Sequence, residues 1–393
     1  MSKKTIKKSR QTKIIHSDYE PPAGFKALAT PIYHASTVLF DNPTDMRSKH
    51  WNDHKVYTYG LHGTPTTFTL EAKLAEIEGG NYCVLAPSGL AAIAMVDLAF
   101  LKTGDDVLIP ENIYNPNREL GYWLQDNFNI TARYYDPMIG RDFAGMLLPN
   151  TKLVWIEAPG SVTMEVPDVS AISEAAHKNG SIVIVDNTWS AGLAFDAFAH
   201  GADIVLHALT KYQAGASDLL MGAVITRDEM LYERLGYTHM RLGVGIGADD
   251  AYLVLRNLPS MKIRFEKHGE AAMEVANWFK KREEINKVLH PAFDDCPGHD
   301  FFKEHFKGSG GLFSVLFDKK YSEAQTDKFV EALELFQIGY SWGGAHSLCV
   351  PFRIQDARKD WRYKDHQLIR FYIGLEETGD LIADLEQAFA VLK

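Results

Sequence analysis

The feature that most constrains the fold of this chain is an alternation running from Thr64 to about Leu258. Short apolar runs, CVLAP (83–87), DVLIP (106–110), KLVWIEA (152–158), SIVIVD (181–186), DIVLHA (203–208) and GAVITR (222–227), take turns with helical patterns. The helical patterns include TTFTLEAKLAEIEGG (66–80), LAAIAMVDLAFL (90–101), NRELGYWLQDNF (117–128) and VSAISEAAHKNG (169–180). Strands buried on both faces read as unbroken apolar runs, and a helix between two strands lets them pair in parallel. The pattern predicts an α/β fold with a large, mostly parallel sheet covered by helices. Residues 1–63 have little periodicity and many His, Asn, Asp, Tyr and Pro, as in an extended arm. Past Pro259 the alternation stops. GGLFSVLFD (310–318), SEAQTDKFVEALELF (322–336), RFYIGL (370–375) and a last helix predict a smaller C-terminal α/β unit. The expected division is 1–63, 64–258 and 259–393.

Charge and cysteine content narrow the function. With 41 Lys and Arg against 51 Asp and Glu, the net charge is −10, which argues against a nucleic-acid partner. The basic run MSKKTIKKSR (1–10) has no apolar stretch behind it, so it is not a secretory signal; it reads as a solvated terminus in preference to the alternative, a mitochondrial presequence. No apolar run is long enough to span a bilayer, so no membrane partner is expected. Cys83, Cys296 and Cys349 are too scattered for a disulfide framework or a metal spacing, and the expected compartment is the reducing cytoplasm. The Asp and His residues around Cys296 in DDCPGHD fit a turn at Pro297 and Gly298, and no metal is expected.

Two residues point to chemistry. Lys211 follows the strand DIVLHA and precedes the small-residue run QAGAS, where an amine can reach a cleft and lose its proton. Asp186 ends the run SIVIVD, and a carboxylate after four apolar residues is costly unless it meets a cation. A Lys that bonds a carbonyl and an Asp that pairs with a pyridinium nitrogen are what a pyridoxal-phosphate enzyme needs. Rival motifs are missing. There is no GxSxG elbow, and GVGIG (243–247) follows a helical stretch without the acidic partner of a dinucleotide site.

IVDNTWSAG (184–192) and HALTKYQAGASDLLMGAV (207–224) resemble the core of the Cys/Met-metabolism family of pyridoxal-phosphate enzymes. EAPGSVTMEVPDV (157–169), GYSWGGAHSL (339–348) and LIRFYIGLEETGDLIADL (368–385) resemble its bacterial cystathionine β-lyase branch. The likeness runs from about residue 12 to the C-terminus. It implies pyridoxal-phosphate fold type I, like that of aspartate aminotransferase, with pyridoxal 5'-phosphate bound covalently at Lys211. It implies a lyase that splits cystathionine at Cβ–S, with an amino-acid racemase or a γ-lyase or γ-synthase as alternatives. A lapsed, purely binding member is the rival of another class, and the presence of Lys211, Asp186 and Arg370 argues against it.

The resemblance also distributes roles. LAPSGLAAIAM places Ser88 and Gly89 at a helix start, so the amides of Gly89 and Leu90 would cradle the phosphate, with Thr210 adding a hydroxyl. Tyr114 would stack on the pyridine ring and assist proton movement. Ser161 and Trp189 are expected near the ring, Trp189 more as packing. Arg370, a lone charge in an apolar strand, would bind the substrate α-carboxylate, flanked by Ser341 and Trp342. γ-Cleaving members carry a smaller aliphatic residue at the Trp342 position, which favours the β-lyase branch. Tyr59, in the arm, would cross to a neighbouring subunit's phosphate, making a homo-oligomer with shared sites, expected as a tetramer built from two dimers. The family commonly has Arg two residues after this Tyr; here Leu61 stands there, followed by His62.

Overall fold

The structure, a computed structural model, describes residues 9–392 apart from 17–18, 20–22, 25–26, 52–55, 357 and 359–360. Residues 1–8 of the basic run lie outside the described residues. Seven strands form the larger sheet: β1 (Tyr82–Ala86), β2 (Asp106–Pro110), β3 (Thr131–Tyr135), β4 (Thr151–Glu157), β5 (Ile182–Asp186), β6 (Ile204–Ala208) and β7 (Gly222–Thr226). Five form the smaller: β8 (Ile285–Leu289), β9 (Leu312–Phe317), β10 (Gln337–Ile338), β11 (Leu348–Phe352) and β12 (Leu368–Tyr372). The helices are α1 (Arg10–Ile15), α2 (Pro43–Ser48), α3 (Pro65–Glu78), α4 (Gly89–Phe100), α5 (Asn115–Phe128), α6 (Val169–Lys178), α7 (Glu229–Leu242), α8 (Ala248–Phe279), α9 (His299–His305), α10 (Glu323–Glu331) and α11 (Thr378–Phe389).

The larger sheet has the order β1-β7-β6-β5-β4-β2-β3. It is parallel from β6 to β3, and β7 runs antiparallel to both its neighbours. The α/β class with a mostly parallel main sheet is what the alternation predicts. Its six apolar runs are all strands. The seventh strand, β3, carries the sequence TARYY at the sheet edge, where one-sided exposure needs no apolar run. One face is packed by Leu85, Val183, Val185 and Val205, the other by Val84, Ile184, Ile204 and Leu206. The smaller sheet, β10-β11-β12-β9-β8, is antiparallel except where β10 joins β11.

Local signals set the helix starts that matter for the site. Thr64 caps α3 through a reciprocal box with Thr67, Pro65 stands in its first turn, and Gly79 at φ 86° ends it. Ser88, with extended backbone, accepts the Ala91 amide and starts α4. The chain then passes from one sheet to the other along α8, a 32-residue helix that is continuous across Leu258 and Pro259. Among the described residues, no helix is long and apolar enough to cross a membrane.

Candidate active site

The residues of interest gather at the carboxyl ends of the large-sheet strands, where open α/β sheets leave a crevice. Lys211 lies just past β6. Its Nζ donates to Ser341 Oγ at 2.8 Å and stands 5.4 Å from the centre of the Trp342 ring. The backbones meet closely here: a Cβ on Gly343 would lie 2.6 Å from the Lys211 carbonyl carbon, and Gly343 has φ 91°. Ser341 itself holds φ 81°, an unfavourable value for a residue with a side chain, at the point where it touches the amine. Burial first, then the charge of Arg370, brings the Lys211 amine down to about 8, with Asp186 opposing.

Asp186 ends β5 and is 8% exposed. Its Oδ1 accepts the Thr188 amide at 3.0 Å and the Thr188 hydroxyl at 2.5 Å, and Oδ2 accepts nothing among the described residues. Behind it, on the other face, Glu78 accepts from Asn187 Nδ2 at 2.9 Å and lies 2.7 Å from His207 Nε2, fastening the ends of β5 and β6 together. Burial raises the Asp186 carboxyl.

Arg370, in the middle of β12, is 7% exposed. Its Nη1 donates to the Ser161 carbonyl at 3.1 Å, and the guanidinium lies 4.9 Å from the Phe352 ring centre. No described carboxylate forms an ion pair with it. Burial lowers it to about 10, against the pull of Glu157, Tyr114 and Tyr340. A buried guanidinium held by a carbonyl keeps further donors suited to a carboxylate.

Tyr114 precedes α5, and its amide donates to Glu157 Oε2 at 2.7 Å. Burial and the charges of Asp186 and Glu157 raise its hydroxyl. The amides of Gly89 and Leu90, at the start of α4, have no partner among the described residues, and a Cβ on Gly89 would lie 2.9 Å from the Cβ of Ala208. Thr210 Oγ1 is engaged with the backbone of Met221, at 3.3 and 3.1 Å.

Other expected residues lie elsewhere. Tyr59 is 49% exposed, bridges Thr37, and has no contact with the Lys211 cluster in its own chain. Leu61 faces Gly245, and burial lowers the His62 imidazole. Trp189 packs against Phe302 and Phe306. GVGIG forms the connection between α7 and α8. Among the described residues no His, Cys, Asp and Glu cluster suits a metal, and the Cys296 thiol points at the Met164 carbonyl. Glu157 escaped the sequence reading, although it ends KLVWIE as Asp186 ends SIVIVD.

A profile of the Cys/Met metabolism PLP-dependent enzymes matches residues 11–390. Cystathionine beta-lyase of Haemophilus influenzae is 38% identical, over 96% of this chain and 97% of that protein. An L-alanine/L-glutamate racemase of Wolbachia pipientis is 36% identical, over 92% of each. In structure, the cystathionine gamma synthase of Xanthomonas oryzae pv. oryzae, solved with aminoacrylate and cysteine, superposes with a TM-score of 0.90 at 30% identity, covering 98% of this chain and 99% of that one. The fold and the strand-end cleft are those of a pyridoxal-phosphate enzyme. The chain belongs to the Cys/Met metabolism family of PLP-dependent enzymes.

The donor set fits this cofactor. Two unpaired amides at a helix start suit a phosphate, a buried carboxylate with one unengaged oxygen suits a ring N–H, and an amine of lowered pKa suits a carbonyl carbon.

Proposed function

We propose that this chain is a carbon–sulfur lyase that cleaves the Cβ–S bond of L-cystathionine, yielding homocysteine, pyruvate and ammonia. The observation that carries the reading is the convergence of Lys211 on Ser341 and Trp342 beside the unpaired Arg370. The likeness to a cystathionine β-lyase over nearly the whole chain supports it.

When bound, pyridoxal phosphate supplies a carbon that captures the substrate amine and a pyridinium ring that accepts electron density from Cα. Lys211 would hold it covalently, Gly89, Leu90 and Thr210 would take its phosphate, and Asp186 Oδ2 its ring N–H. Arg370 binds the substrate α-carboxylate and so fixes Cα toward Lys211. Tyr114 would cover the ring, and Ser161 presents the carbonyl that keeps the guanidinium in place. Lys211 Nζ, which would be set free when the substrate amine takes over that carbon, then takes the Cα proton. A pKa of about 8 leaves a useful neutral fraction near neutral pH. Trp342 and Phe352 limit water around the two cations. The electron pair freed at Cα forms a double bond to Cβ as sulfur leaves, the thiolate takes up a proton, and water hydrolyses the three-carbon enamine left behind to pyruvate and ammonia.

The same reading makes Tyr59 a residue of the neighbouring subunit's site, in a cytoplasmic homotetramer serving methionine biosynthesis by transsulfuration. It retains the arm, large and small divisions at 1–63, 64–258 and 259–393, with α8 as the rod between the last two. A racemase is the second reading, favoured by the Wolbachia pipientis relative. Incubation of the holoenzyme with L-cystathionine, followed by identification of the keto acid and thiol, should give pyruvate and homocysteine. 2-Oxobutanoate with cysteine would mean γ-cleavage, and inversion of L-alanine without a keto acid would mean racemisation.

A further inference from the structure

Two carboxylates, not one, close the central strands of the large sheet. Glu157 ends β4 and Asp186 ends β5, and the two are direct partners in the parallel ladder, so both side chains leave the same face. They are 7% and 8% exposed. Neither forms an ion pair with a described cation, since Lys211 Nζ rests on Ser341 and Arg370 on the Ser161 carbonyl. Two ionised carboxylates side by side, out of water and without a salt bridge, are strongly disfavoured, and one of them holds a proton.

The surroundings decide which. Asp186 Oδ1 receives two donors from Thr188, and Thr188 Oγ1 is itself fixed by the Ala208 amide at 2.9 Å. His207, behind it on β6, also favours a charged Asp186. Glu157 Oε2 receives the single amide of Tyr114, and Ser161 nearby also favours its charged form. The groups facing Glu157 are Asp186 from β5, Tyr114 ahead of α5, Ser161 beyond β4 and Arg370 from β12. Burial and the neighbouring Asp186 push its carboxyl well above the usual carboxylate range, beyond what Arg370 offsets.

We propose that Glu157 is the neutral member of the pair: it stays a carboxylic acid, positions Tyr114 through the Tyr114 amide, and leaves Asp186 as the one ionised carboxylate of the cleft. This deepens the proposed function and rests on Asp186 as the ring's partner. Its role is positioning. An ionised Glu157 would instead compete for Arg370 with the incoming substrate carboxylate and raise the proton affinity of Asp186.

The test is infrared difference spectroscopy of the holoenzyme near neutral pH, in water and heavy water, where a protonated carboxyl absorbs apart from a carboxylate. Burial pushes Glu71 up to about 8 and Asp97 up to about 7, so they contribute bands of their own, and the assignment lies in the differences. A carboxylic-acid band should vanish in Glu157→Gln and persist in Asp186→Asn. Loss of the band in Asp186→Asn alone, or no change in either variant, would overturn the proposal. If Glu157→Gln fails to fold, Glu157→Asp replaces it: the carboxylic-acid band should shift in that variant, and a band left unmoved would overturn the proposal. Turnover adds a second readout. Gln keeps a carbonyl for the Tyr114 amide and should retain at least about tenfold more kcat/KM than Glu157→Ala, while equal losses would remove the positioning role. The spectra need no turnover, so they stand even if cystathionine proves not to be the substrate.

Discussion

The strand ends of the large sheet and the arm before Thr64 both carry residues assigned to the cofactor, and they behave differently in the single chain. Lys211, Asp186 and Glu157 are fixed by strand register, by Thr188 and by the close passage of Gly343. Among the described residues of the arm, none holds a residue of this cleft by a hydrogen bond or ion pair. Tyr59 is half exposed, Leu61 faces Gly245, and the His62 ring lies 5.0 Å from that of Trp51. Residues at strand ends are positioned by the sheet itself, so one chain preorganises them. On the proposed reading the arm residues act on a second chain, so their contribution would be conditional on assembly.

Breaking the strand-end half should have the largest effect. Lys211→Ala removes both the covalent anchor and the base, and steady-state turnover should fall by several orders of magnitude. Arg370→Leu acts on the small-sheet side of the same cleft. Loss of a charge-assisted pair in a dry site costs about 1.5–3 kcal/mol, so KM should rise roughly tenfold to over a hundredfold while the cofactor's absorbance is unchanged. Unaltered kinetics would make Arg370 a structural residue. The arm should give the smallest effect. Leu61→Arg adds a cation where His62 is largely neutral, and cofactor release on dialysis should slow a few-fold if the arm reaches a neighbour's phosphate. Unchanged retention would mean that Gly89, Leu90 and Thr210 already saturate the phosphate, and a fully active monomer by light scattering would remove the shared site.

Much of the strand-end half is legible in the sequence because its signals are local. Asp186 closes a β-branched run, Lys211 follows another, Ser88 and Gly89 open a helix, and Arg370 is a charge inside an apolar strand. Glu157 gives the same signal and shows what local reading leaves out. Two strands that look alike become one electrostatic pair only once β4 and β5 lie side by side. Thr210 is similar, because its hydroxyl faces Met221 across a loop whose path no spacing reveals. β3 gives no signal, because an edge strand needs no apolar run. Pro259 reads as a boundary, yet α8 passes through it. Nearby, Ser260 Oγ and Arg264 Nη2 both donate to the Asn257 carbonyl, at 3.1 and 3.2 Å.

The central claim is that the strand-end amine of this chain carries the cofactor. Borohydride reduction of the holoenzyme, followed by proteolysis and mass spectrometric peptide mapping, tests it most directly. The pyridoxyl group should be found on Lys211, and a label on any other lysine would contradict the account.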